Sequence, residues 1–196
     1  MNVKLYHGDC MDILPTLPEE SVDAFILDPP YLKKHLHLYG EMAEEAKRIL
    51  KHGGSFISIV PHYAMPQVLN DVSKHLKWRW CHSMWQASGR HPRMAMGIEV
   101  MWKPIGWWVK GSWPQGRGFV RDGFANDQPD KVHPWEQSED WAEFCLKMVP
   151  ENGVVLDAAM GRGTVGVACA RLGYDFIGIE LDKKWFKEAK LRIEGA

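Results

Sequence analysis

A chain of 196 residues, 45% hydrophobic and 25% charged, has the size and balance of one globular domain and excludes wholesale disorder. No apolar stretch approaches the ~20 residues that span a bilayer, MNVKLYHGDC does not read as a signal peptide, and the four cysteines form neither a zinc nor a disulfide pattern, so a soluble cytoplasmic protein without metal or membrane partner is expected. The net charge of −1 hides a segregation: residues 72–121 hold nine Lys/Arg against Glu99 alone, about +8, and seven of the ten tryptophans. Such a stretch suits a polyanionic partner, or equally a solvated basic face over core aromatics.

Residues 3–6 read as a short strand and 12–17 as a short helix or turn stopped by Pro15 and Pro18. The apolar run before Asp28-Pro29-Pro30 is a buried strand. Met42, Ala46, Ile49 and Leu50 give a helix that Gly53-Gly54 are expected to stop. FISIV at 56–60 is a second buried strand, 64–76 a helix, and 77–109 a hairpin. Within it Trp78, Trp80 and Trp102 sit at strand-like spacing and are expected in the core. Residues 110–134 show no periodicity and read as a loop. Ser138 is the expected N-cap of a helix that buries Trp141, Phe144, Cys145 and Met148. Then follow a strand at 154–158, a Gly-rich turn into a helix at 162–172, a strand at 175–180 and a helix at 182–194. Alternating strands and helices predict an α/β fold with a mainly parallel sheet.

Gly161-Arg162-Gly163-Thr164-Val165-Gly166 follows a strand, opens a helix and precedes a strand that ends in Glu180, 19 residues after Gly161. Glycines admit close backbone approach, and a carboxylate at the next strand end suits ribose hydroxyls. Asp157 would place a negative charge beside a dinucleotide's pyrophosphate, so it suits a ligand with an amine. The N-terminal strands must then supply the other side of the sheet, which implies a circularly permuted order. In Asp28-Pro29-Pro30-Tyr31 the prolines lack backbone donors and leave carbonyls free to accept. With the Asp28 carboxylate and the Tyr31 ring, they suit a planar NH₂ group.

At these residues the chain resembles the DNA amino-methyltransferases, in the motif order of their permuted β class. The resemblance rests on GDC at 8–10, DPPY at 28–31, LKHGGSFISIV at 50–60, HP at 133–134, DAAMGRGT at 157–164 and IGIELD at 177–182. It implies a Rossmann-like, S-adenosylmethionine-dependent methyltransferase sheet in one domain, with a small target-recognition insertion at about 77–132. Asp28, Pro29, Pro30 and Tyr31 would be catalytic, the first two accepting from the target amine and Tyr31 stacking on the base. Asp157, Gly161 and Gly163 would line the methionine part of the cofactor, Glu180 hold its ribose, and Asp9 and Cys10 approach its adenine. Ala158, Met160, Thr164 and His133 are counted with the cofactor site.

Methyl transfer to an exocyclic amine of a flipped-out base in duplex DNA, favouring N6 of adenine, is the implied reaction. A homodimer is left open. N4-cytosine or RNA methylation, an NAD-dependent oxidoreductase, and a binding subunit without activity are the alternatives. Arg90, Arg93, Arg117 and Arg121, in Gly- and Pro-punctuated segments, are the expected DNA contacts. The chain departs from the family pattern in Ala158-Ala159, where a proline and a phenylalanine are usual, and in Arg162, where a serine is usual. It also reads His133-Pro134-Trp135-Glu136-Gln137-Ser138 in place of HPTQKP, without the lysine. Arg162, Thr164 or backbone amides are expected to hold the cofactor carboxylate instead.

Overall fold

In the computed structural model the described residues are 1–29, 32–86, 93–114, 118–126 and 137–196. In chain order the strands and helices are β1 (Val3–His7), α1 (Cys10–Ile13), β2 (Val22–Leu27), α2 (His37–Ile49), β3 (Leu50–Ile59), α3 (Met65–Ser73), β4 (Lys77–Gln86), β5 (Arg93–Met94), β6 (Ile98–Glu99), β7 (Trp102–Val109), β8 (Gly123–Asn126), α4 (Glu139–Leu146), β9 (Val154–Asp157), α5 (Thr164–Leu172), β10 (Asp175–Glu180) and α6 (Lys183–Glu194). Eight of the strands form one sheet in the order β1-β10-β9-β2-β3-β7-β4-β8. The five from β1 to β3 are parallel, and β7 and β4 each run antiparallel to the strand before them in that order. No described helix is long and apolar enough to cross a membrane.

Period-two alternation builds the layers. Ala24, Ile26, Ile57, Ile59 and Trp107 pack on the face covered by α4, α5 and α6. Their chain neighbours Phe25, Leu27, Phe56 and Trp108 pack on the face covered by α2 and α3. Both faces of β2 and β3 are therefore buried, which is why these strands read as continuous apolar runs. Fully burying a side chain such as Phe56 or Leu27 contributes about 1.5–3 kcal/mol.

The β9–α5–β10 unit winds away from β2, and the β2–α2–β3 unit winds away from β9. The winding thus reverses between β9 and β2, strands some 130 residues apart in sequence that pair as Ala24 with Val155 and Ile26 with Asp157. Ligands of open α/β sheets bind beyond the carboxyl ends of the strands at such a reversal. The permuted order expected from the sequence follows directly from this pairing.

Three expectations are corrected. Gly53-Gly54 do not stop α2, which ends at Ile49; they lie inside β3. There Gly53 has φ +78, and a Cβ on Gly54 would lie 2.9 Å from the Lys51 carbonyl oxygen and 3.1 Å from that of Asp23. The pair forms the irregularity where Val22 opposes Leu50 and Ala24 opposes Ser55. The segment 110–134 is not wholly loop, because β8 pairs parallel with β4. Trp78 and Trp80 are 42% and 54% exposed, and Trp102 is half-buried; the buried tryptophans of the segment are Trp107 and Trp108. A bulge between Trp78 and Trp80 breaks the expected alternation, because Trp78 opposes Trp108 and Trp80 opposes Trp107, residues on opposite faces of the sheet.

Candidate functional site

Four strand ends, those of β1, β2, β9 and β10, open onto one cavity of about 500 Å³, a volume suited to a small ligand. Asp9, Cys10, Asp28, Pro29, Asp157, Ala158, Met160, Gly161, Thr164 and Glu180 all line it. The sequence places these residues at the ends of four separate strands, and the sheet brings them together.

The Glu180 end is organised by backbone donors. Its Oε2 accepts from the Gly161 amide at 2.8 Å and its Oε1 from the Asp182 amide at 2.7 Å. Asp9 caps α1, accepting from the Met11 amide at 2.9 Å. Burial, and next the Asp9 charge, push the Cys10 thiol up to about 11, so it is a packed thiol and not a nucleophile.

Gly161 and Gly163 both have positive φ, +52 and +77. A Cβ on Gly161 would meet nothing within 4 Å, whereas one on Gly163 would lie 2.9 Å from Ile193 Cδ1 and 3.0 Å from Ala189 Cβ. Gly163 therefore lies against α6, while its neighbours Gly161 and Thr164 line the cavity. Gly166 serves the same packing, with Ile193 Cδ1 2.5 Å from a Cβ placed there.

Asp157 is buried at the reversal point, its Oδ1 accepting from the Ala159 amide at 3.1 Å. Burial pushes its carboxyl up to about 8; the Ala159 hydrogen bond opposes the shift, and the nearby charges of Asp28 and Glu180 add to it. Four carboxyl groups, those of Asp9, Asp28, Asp157 and Glu180, thus line one cavity, an arrangement that favours a cation.

Asp28 is met from across the chain. Gln137 Nε2 donates to Asp28 Oδ2 at 2.6 Å, and Lys103 Nζ on β7 donates to Gln137 Oε1 at 3.0 Å. Ser138 caps α4 as expected, accepting from the Trp141 amide at 3.2 Å. That cap swings Trp141 against the cavity, where it is buried and its Nε1 has no partner among the described residues. His35, Leu38, Met42 and Trp185 complete the wall. Sequence reading missed Gln137, Lys103 and these wall residues. Trp141 and Met42 had a signal in the apolar stripes of α4 and α2, and Gln137 in the departure from HPTQKP.

Pro30, Tyr31, Arg90, Arg117 and His133 lie outside the described residues. Arg93 is exposed on β5, 3.7 Å from Glu99, and Arg121 is exposed shortly before β8. Arg162 Nε pairs with Glu188 on α6 at 2.7 Å, while Thr164 is buried in the cavity wall. Lys77, Arg79, Trp78 and Trp80 line a different cleft with Trp107 and Trp113. It lies at the opposite end of the sheet, where Lys77 opposes Val109 and Val109 opposes Ser55.

A family model for DNA methylases of the N6/N4 type matches residues 119–191, the stretch that contains β9, the glycine turn and Glu180. The type II methyltransferase M.BglII of Bacillus subtilis is 24% identical over 98% of this chain and 69% of its own length. In these residues and over this length the chain is similar to the DNA amino-methyltransferases. Its fold is that of solved methyltransferases. The M1.HpyAVI–SAM complex superposes with a TM-score of 0.79 at 22% identity, over 97% of this chain and 99% of that one. The cytosine-N4-specific PvuII DNA methyltransferase superposes with a TM-score of 0.84 at 18% identity, over 98% and 86%. The family-model match begins just before β8 and does not include β1 to β3, so the Asp28 strand is similar to the family in its motif and its place in the sheet.

Proposed function

We propose that the protein transfers a methyl group from S-adenosylmethionine to the exocyclic amine of a base in duplex DNA, with N6 of adenine favoured. The observation that carries this reading is the pairing of β2 with β9, which sets Asp28-Pro29 and the Asp157–Glu180 pair on one cavity. The donor set suits the cofactor. Glu180 would hold its ribose hydroxyls, Asp157 its amine, and Cys10 and Asp9 would approach its adenine. The Trp141 N–H offers a donor to its carboxylate. When bound, S-adenosylmethionine supplies an electrophilic methyl on a sulfonium.

The chain's own residues do the rest. An aromatic amine is a poor nucleophile because its lone pair is delocalised into the ring. Asp28 and the Pro29 carbonyl accept hydrogen bonds from its two protons and favour a pyramidal nitrogen, which frees that lone pair. Asp28 is then placed to hold the proton that the nitrogen loses after transfer. Tyr31 is assigned the stacking face for the base, which must leave the duplex to reach the cavity. Asp157 is best satisfied as a carboxylate when a cation faces it, so ligand binding releases its proton.

Asp at position 28 favours adenine. Cytosine N4 is the second reading, supported by the likeness to the PvuII enzyme. The region from about 77 to 132 is assigned to target recognition within a single domain, with Arg90, Arg93, Arg117 and Arg121 as DNA contacts. Incubation with methyl-labelled cofactor and plasmid DNA, followed by digestion to nucleosides, tests the reading. Label in N6-methyl-2′-deoxyadenosine is expected. Label in N4-methyl-2′-deoxycytidine selects the second reading, and no label in DNA refutes both.

A further inference from the structure

We propose that Lys103 is a positioning residue for methyl transfer, acting through the Gln137 amide to fix the orientation of the Asp28 carboxylate. The inference rests on the reading of the site given above. Lys103 Nζ lies 3.0 Å from Gln137 Oε1, and Gln137 Nε2 lies 2.6 Å from Asp28 Oδ2. The three residues come from β7, the residue before the α4 cap, and the end of β2.

The polarity of the chain of contacts follows from chemistry. An ammonium only donates, so the amide oxygen must face Lys103 and the amide nitrogen must face the carboxylate. Turning the amide over would set N–H against ammonium and oxygen against carboxylate, two repulsions in place of two hydrogen bonds. Lys103 therefore selects one state of Gln137, and Gln137 in that state anchors Oδ2 through a short charge-assisted bond. Anchoring Oδ2 fixes the plane of the carboxylate, and so the direction in which Oδ1 presents its lone pairs to an incoming amine.

The sequence departure gains a physical reading here. Where the resemblance expects a lysine, this chain has Gln137, and the ammonium arrives instead from β7, 34 residues earlier. Gln137, the middle of the relay, is 6% exposed, while Lys103 and Asp28 are half-buried. Fixing a reacting group in this way acts on the transition state more than on cofactor binding.

The test is steady-state and single-turnover methyl transfer to duplex DNA by the full chain. Lys103→Met keeps the aliphatic stem and removes charge and donors. Its kcat is expected to fall about ten- to a hundredfold, with the KM for S-adenosylmethionine within about twofold. Lys103→Arg should recover most of the loss, since it restores a cationic donor. Gln137→Leu should lose as much as Lys103→Met, and the double variant no more than the worse single one.

Additive losses would overturn the relay. So would an unchanged kcat with a log–log salt slope of DNA binding flattened by about 0.9, which makes Lys103 a phosphate contact. A lowered melting temperature that Lys103→Arg does not restore, with kcat normal at low temperature, would make it a structural residue only. A wild-type protein that methylates no DNA refutes the functional reading itself, whereas an active wild type with insensitive variants refutes only the relay.

Discussion

At the ends of β9 and β10, Asp157 and Glu180 are held by the backbone amides of Ala159, Gly161 and Asp182, all within 19 residues of the carboxylates they serve. At the end of β2, Asp28 is held by the side chain of Gln137, 109 residues away, itself held by Lys103. The two sides of one cavity are thus built by different means. Amides in a tight turn are fixed once the turn forms, and glycine makes that turn. A side-chain relay exists only after the sheet closes and α4 docks. The first side should tolerate changes elsewhere in the fold, and the second should be sensitive to them.

The sharpest way to break this comparison is at Asp28. Asp28→Ala is expected to lower methyl transfer by at least about a thousandfold, the scale of losing a group that acts in the transition state. Cofactor affinity measured by calorimetry should stay within a few-fold. On the other side, Glu180→Ala removes the carboxylate assigned above to the ribose, a contact that would be made in ground and transition states alike. The KM for S-adenosylmethionine should rise about ten- to a hundredfold, with a smaller change in kcat.

Asp157 sharpens the comparison through pH. Its carboxyl titrates at about 8 in the fold against 3.8 for an ordinary aspartate. The folded state therefore binds the extra proton between those values, and its contribution to stability falls as pH rises from about 4 to about 8. Asp157→Asn removes that dependence. Its melting temperature at pH 8 without cofactor should exceed the wild type's by a few degrees, while cofactor affinity falls. Scanning calorimetry at pH 5 and pH 8 checks the sign, because the advantage should shrink at the lower pH. The smallest effect is expected on the exposed arginines. Neutralising Arg90, Arg93, Arg117 and Arg121 should flatten the salt dependence of DNA binding by about 0.9 per lost phosphate contact, with cofactor affinity unchanged. An unaltered slope would make the basic segment a solvated face.

Much of the cofactor side was legible because its contacts are local. The spacing from Gly161 to Glu180 and the apolar run before Asp157 reflect one strand–turn–helix–strand unit that pairs with itself. Even there the glycines differ, since Gly163 is packed against Ile193 and Ala189 of α6 whereas a Cβ on Gly161 would meet nothing within 4 Å. The position of Asp28 at a strand end was legible for the same reason, from AFIL followed by two prolines. Gln137 and Lys103 were not. Each is an ordinary polar residue whose meaning depends on β7 lying beside β3 and on where α4 begins. Trp78 and Trp80 failed differently: period two holds only in a regular strand, and a bulge between them sets them opposite Trp108 and Trp107, on different faces.

The central claim is that methyl transfer depends on the Asp28 side and cofactor retention on the Glu180 side of one cavity. Single-turnover transfer to duplex DNA at saturating S-adenosylmethionine, run on wild type, Glu180→Ala and Asp28→Ala, tests it most directly. The account predicts that Glu180→Ala transfers within about tenfold of wild type once saturated, and that Asp28→Ala binds cofactor without transferring its methyl. Transfer by Asp28→Ala at the wild-type rate, or loss of transfer by saturated Glu180→Ala as complete as that of Asp28→Ala, would contradict it.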